Sequence, residues 1–169
     1  MAGNLVQVAT NTVTSAVSSV TLTGINTDDV YMVTMSNMQP SADSQIYAIV
    51  TTSGTADTDS EYDYGAKYLK SDGSFANDGS TNNDRWVPTS TQESDYGGYS
   101  MIMYLHNFNN SSDYSFVTYE EAHIQGGTTY LRGLQGGGTH TVNEANDGIN
   151  FSMGSGNIDS GTFTLYKVI

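Results

Sequence analysis

Cysteine is absent from the 169 residues, which excludes a disulfide framework and any thiolate metal site. Basic residues are scarce: five Lys and Arg stand against 18 Asp and Glu, for a net charge of -13. Nucleic acid is a poor partner for such a chain, because phosphate contacts need clustered Lys and Arg. A basic partner fits better, or one met through uncharged polar and aromatic surface. No apolar run approaches the ~20 residues of a membrane-spanning helix, so no membrane partner is expected. Met1-Ala2-Gly3-Asn4-Leu5 has neither a basic residue nor a long apolar run, unlike an export signal, and production in a cytoplasm is the expectation. Only 14% of residues are charged, so the polarity must come from elsewhere. Ser, Thr, Asn and Gly supply it, a mix that suits strands and turns better than helices.

The length fits one domain over residues 1–169. Short strands are predicted over Leu5–Ala9, Val13–Val17 and Val20–Thr23, the last stopped by Gly24. Further strands follow over Val30–Met35, with Pro40 in the loop after it, Gln45–Thr51 and Tyr62–Leu69. Residues 71–98 form a long polar stretch with turn signals at Asp72-Gly73, Asp78-Gly79 and Asn82-Asn83-Asp84. Trp86-Val87-Pro88 is its apolar anchor, and a stretch of that length inside a compact domain is expected to hold a short strand or to pack on a neighbour. Tyr99–Leu105 and Ser115–Tyr119 read as a hairpin across the turn Phe108–Tyr114. Tyr130–Leu134 leads into Gly136-Gly137-Gly138, read as a flexible loop, and Ile149–Met153 follows.

Ile158 to Ile169 reads as a turn and a final strand, with Phe163 and Leu165 on one face and Thr162 and Thr164 on the other. Such a strand needs a partner, so the end of the chain is expected inside a sheet. The sum is about ten short strands and no amphipathic helix, an all-β, jelly-roll-like antiparallel β-sandwich. Tyr31, Val33 and Met35 alternate with Val30 and Met32, and Met101, Met103 and Leu105 with Ile102 and Tyr104. A two-layer sandwich buries one face of each sheet. The second apolar face therefore asks for another cover, and a neighbouring subunit suits its Tyr and Met content.

Chemistry is harder to find. His106, His123 and His140 recur every 17 residues, which is no ligand spacing, and they are read as surface or interface residues. Asp57, Asp59, Glu61 and Asp63 alternate, which on an extended chain sets all four on one side, but the central Gly and closing Glu of a calcium loop are missing; a solvated acidic edge is the expectation, with a weak cation site the alternative. Gly133–His140 lacks the Lys-Ser/Thr ending of a phosphate loop. Ser, His and Asp are all present without a Gly-x-Ser-x-Gly elbow. The sequence therefore yields no catalytic, cofactor-binding or metal-binding residue and no cofactor.

Three segments carry a resemblance: Asp29-Val30-Tyr31-Met32-Val33, the turn Asn107-Phe108-Asn109-Asn110-Ser111-Ser112, and Gly156-Asn157-Ile158-Asp159-Ser160-Gly161-Thr162-Phe163-Thr164-Leu165-Tyr166. Together they resemble small virion structural proteins of tailed bacteriophages, above all of marine and cyanobacterial phages. A strand ending Ser-Gly-Thr-Phe-x-Leu-Tyr is frequent there, commonly before Gly; here Lys167 takes that place. The resemblance implies a jelly roll, often trimeric, that serves as a capsid decoration (cement) protein or as a tail or fibre component. The expected partners are then other virion proteins, chiefly the major capsid protein, and further copies of the chain as a homotrimer. The expected location is the outer capsid surface, where an acidic protein is better placed than against packaged DNA. A tail protein touching a host glycan is the alternative, and a carbohydrate-active enzyme on the same scaffold the third reading.

Overall fold

A computed structural model describes residues 3–91, 94–95, 98–125 and 130–169. Among the described residues there is no helix. The twelve strands are β1 (Leu5–Val13), β2 (Ser19–Thr23), β3 (Tyr31–Pro40), β4 (Ile46–Thr52), β5 (Thr55–Ala56), β6 (Tyr62–Lys70), β7 (Phe75–Asn83), β8 (Tyr99–His106), β9 (Ser115–Ile124), β10 (Leu131–His140), β11 (Gly148–Met153) and β12 (Ile158–Val168). They form two antiparallel sheets, an all-β, jelly-roll-like sandwich. The larger sheet runs β1-β12-β3-β8-β9-β10-β6-β7 and the smaller β2-β11-β4-β5.

Period-two alternation positions the core. In β8, Tyr99, Met101, Met103 and Leu105 are buried, whereas Ser100, Ile102 and Tyr104 are exposed. In β9, Ser115, Val117, Tyr119, Glu121 and His123 point inward and their neighbours Phe116, Thr118, Glu120 and Ala122 outward. The smaller sheet answers with Val20, Leu22, Ile46, Ala48, Val50, Ile149 and Phe151. Phe151 meets Phe163 of the larger sheet at a ring separation of 5.7 Å. Each of the Val, Leu, Ile and Phe side chains contributes about 1.5–3 kcal/mol when fully buried. The final strand lies inside the larger sheet, paired with β1 on one side and β3 on the other, and Phe163 and Leu165 are fully buried.

Several segment readings are corrected. β1 is one strand that stops at Val13, and Val17 makes only an isolated bridge to Ile158. β3 runs on through Pro40, which closes the strand and does not lie in the loop. Asp78-Gly79 sits mid-strand in β7, not in a turn, because β6 pairs with it along the strand, Ala66 opposite Asp78 and Gly65 opposite Gly79. Residues 92–93 and 96–97 of the same polar stretch lie outside the described residues. Trp86, the expected anchor, is fully buried and exchanges both backbone hydrogen bonds with Ala48 of β4.

Gly136-Gly137-Gly138 is not a loop: it is the middle of β10, paired to β6 and β9 on both sides. The reason is packing. A Cβ on Gly138 would lie 2.6 Å from Cδ1 of Trp86 and 2.7 Å from the Asp63 carbonyl oxygen. A Cβ on Gly136 would lie 2.7 Å from Cε2 of Tyr119. The strand gives up side chains so that two large rings can lie against its backbone.

Candidate functional site on the outer face of the larger sheet

The smaller sheet covers only the inner side of the larger one. On the outer side the register sets Ile102 beside Glu120, Tyr104 beside Thr118, and His106 beside Phe116. Further along, Glu120 faces Gln135, Thr118 faces Gly137, and Gly137 faces Gly65. Ile102, Tyr104 and Phe116 are 46%, 40% and 40% exposed, so the second apolar face expected from the sequence is real and has no cover within the described chain. Met32, by contrast, is buried between its ladder neighbours Tyr104 and Tyr166.

Three shallow cavities open on this face. One of about 360 Å³ is lined by Ile102, Tyr104, Thr118, Glu120 and Gln135 over Gly136. A second, of about 500 Å³, shares Ile102 and Glu120 and extends to Thr34, Ser36 and Ser100. A third, of about 430 Å³, shares Thr118 and extends over Gly65, Phe116 and Gly137 to Thr139. Because neighbours share residues, the three form one trough across β3, β8, β9, β10 and β6. Gly65 gives it a bare floor: a Cβ there would meet nothing, so no packing demand within the chain requires glycine.

Electrostatics set the trough apart. On the outward positions of these five strands the formally charged side chains are Glu120, Asp63 and Lys67. Glu120 accepts a hydrogen bond from Gln135 Nε2 at 2.7 Å. In a chain of net charge -13, this is a nearly uncharged surface of hydroxyls, aromatic rings and backbone.

Side chains that the sequence scattered also converge inside the sandwich. His123 Nδ1 lies 2.7 Å from Glu121 Oε2, and its Nε2 lies 3.0 Å from Ser90 Oγ. With Nδ1–H donated to the carboxylate, Nε2 is free to accept the serine hydroxyl, the donor order of a hydrolase relay. Burial pushes the Glu121 carboxyl above the usual carboxylate range, against the pull of His123. Ser90 and His123 are both buried, however, and neither lines any of the three cavities. As built, the relay is a strut joining the 84–90 segment to β9.

No protein-family model and no curated protein matches this chain. Among solved structures, the crystal structure of Caenorhabditis elegans galectin LEC-6 is similar at 11% identity and a TM-score of 0.33, covering 95% of each chain. The structure of infectious bursal disease virus Gt strain is similar at 10% identity and a TM-score of 0.16, covering 99% of this chain and 42% of that one. Likenesses at that level carry no functional argument.

Of the three histidines, His106 faces outward and stacks beside Tyr104, as a surface residue should. His123 and His140 are buried, which corrects their reading as surface or interface residues. The pairing of Ser90 with His123 left no sequence signal, since 33 residues separate them and Ser90 lies in a loop with no strand pattern. His123 and Glu121 were legible in principle: two residues apart on one strand, they must share a face.

Proposed function

We propose that this protein is a non-enzymatic structural component of a tailed-phage virion, a decoration or cement protein seated on the outer capsid surface. The observation that carries the contact role is the trough: an uncovered, nearly uncharged face holding Ile102, Tyr104 and Phe116 on an otherwise strongly acidic molecule. Interface cores are depleted of charge and enriched in aromatic side chains, and this face has that composition. The virion assignment is supported by the similarity of the C-terminal Ser160-Gly161-Thr162-Phe163-Thr164-Leu165-Tyr166 strand to phage structural proteins. The major capsid protein lies against the trough, homotrimeric neighbours add further joints, and many weak contacts repeated by symmetry give the shell its resistance to internal pressure.

The test is binding of purified protein to capsids that lack it, with imaging of the decorated particle. Ile102→Thr with Tyr104→Thr should lower capsid affinity at least tenfold and keep the chain folded, because Thr is a strand former, adds no charge beside Glu120, and both replaced side chains are partly exposed. Undiminished binding by the double variant would remove the trough from the contact.

A second reading is favoured by the pairing of Tyr104 with the Glu120–Gln135 hydrogen-bonded couple in one cavity, an aromatic platform beside polar groups. That arrangement suits a sugar ring, and places the protein in a tail or fibre that touches a host glycan. Binding to a glycan array, lost in Tyr104→Ala, would favour it over the capsid.

A further inference from the structure

His140 closes β10 with its imidazole fully buried, and neither ring nitrogen has a hydrogen-bond partner. A buried, unpaired polar group is costly, so such an arrangement asks for a ligand. Three carboxylates surround the ring. Asp57 Oδ2 lies 3.5 Å and Glu61 Oε2 3.6 Å from Nε2, and Glu144 Oε1 lies 3.9 Å from Nδ1. These separations are at or beyond the outer limit of hydrogen bonding. Metal bonds of ~2.0–2.2 Å at tetrahedral angles set neighbouring ligands about 3.3–3.6 Å apart; the contacts to Nε2 have that spacing, whereas Glu144 faces the ring's other nitrogen at 3.9 Å and has to swing toward Nε2 to share an ion there. One donor atom each from Asp57, His140 and Glu144 lies within 4.8 Å of the other two.

We infer that Asp57, His140 and Glu144 form a binding site for a divalent transition-metal ion of the zinc class. One imidazole nitrogen among carboxylate oxygens suits zinc, cobalt or manganese; calcium takes six to eight oxygens and no nitrogen. The three carboxylates are partly exposed, which gives an ion a way in, while the imidazole behind them is not. The carboxylates are themselves oriented: the Asp59 backbone N–H donates to Asp57 Oδ1, leaving Oδ2 turned to the ring, and Thr52 Oγ1 donates to Glu144 Oε1. Such supporting hydrogen bonds are what fix ligands at a metal centre.

The ligands come from three places: the β5–β6 connection, the end of β10, and the β10–β11 connection, the last tied to β4 through Thr52. An ion here would clamp the edge of the smaller sheet to the larger one, in a chain that has no cysteine for the purpose.

The structure supplies its own reporter. Tyr62 packs 4.8 Å from the His140 ring and 5.1 Å, edge on, from Trp86, the single tryptophan. The experiment is titration of chelator-treated full-length protein with zinc, and separately with manganese, calcium and magnesium, read by calorimetry and Trp86 fluorescence. Zinc should bind at one ion per chain, at least tenfold more tightly than calcium, and raise the unfolding midpoint. Asp57→Asn and Glu144→Gln should each weaken zinc at least tenfold; both replace partly exposed side chains, so folding survives even if His140→Gln does not fold. No zinc uptake at millimolar concentration, or uptake that both carboxamide variants leave unchanged, would overturn the site.

Discussion

At the scale of single residues, the tightest constraints are where glycine meets an aromatic ring. Gly138 lies against Trp86, and the Asp63 carbonyl blocks the same space from the other side. Backbone cannot rotate away as a side-chain tip can. Gly138→Ala should therefore destabilise the fold by about 1–3 kcal/mol, the usual cost of overpacking, as measured by urea unfolding followed through Trp86. A second residue-level effect is electrostatic. Because burial raises the Glu121 pKa above its ordinary 4.5, the folded chain keeps that proton at a pH where the unfolded chain has lost it. The contribution is most favourable below 4.5 and is lost as pH rises through the folded value. Asp29 and Asp84 act in the opposite sense: Lys167 and Arg85 hydrogen-bond to them and lower their pKa, so their stabilisation is present above 3.8 and lost as pH falls through the folded values. Stability should then peak in mild acid, and Glu121→Gln should flatten the decline on the neutral side in thermal melts taken across pH.

At the scale of elements, the edges of the larger sheet matter most. β7 and β1 are both nine-residue edge strands. Edges of that length usually carry bulges, prolines or inward charges to discourage pairing with another chain. β1 has one bulge, between Gln7 and Ala9, and β7 one, opposite Tyr62–Tyr64, yet β7 also sets exposed Phe75 opposite exposed Leu69 on β6, and β1 exposes Leu5 and Val6. Such edges suit a protein that is covered by neighbours. Phe75→Lys with Leu69→Glu should reduce self-association in light scattering and change stability by no more than about 0.5 kcal/mol, as expected of exposed positions. Elements also show where sequence patterns ran out. β8 was legible from its run of Tyr, Met, Ile and Leu between Tyr99 and Leu105, and the start of β9 as its return across the turn at Phe108–Tyr114. β7 was not, since Phe75-Ala76-Asn77-Asp78-Gly79-Ser80 has turn-forming residues and no apolar alternation; its extended form depends on the β6 ladder. β10 was half legible, because its Leu131 and Leu134 signal a strand and its glycines signal a loop.

At the scale of the whole molecule, the asymmetry of the sheets decides what is exposed. Eight strands are covered on one side by four, so the outer face of the larger sheet is left for something other than this chain's own core. The same asymmetry brings together residues far apart in sequence, at two places with different characters. On the outer face the assembly is nearly uncharged and broad; at the end of β10 it is charged, compact and partly enclosed. The acidic residues read from the sequence as a solvated edge divide accordingly: Asp57 and Glu61 turn toward His140, and Asp63 lies on the outward row of β6.

Residue order alone was enough to read a chain of strands and turns, a final strand held in a sheet, and two strands with apolar residues on both faces. Those properties are local: they follow from side-chain period, turn chemistry and composition, each readable over a few residues. The folded arrangement was needed to learn which face stays uncovered, that Ser90, Glu121 and His123 meet, and that three carboxylates gather around a buried imidazole. Sheet order and register set those outcomes, and they arise from pairings between strands separated by tens of residues, which no local pattern encodes.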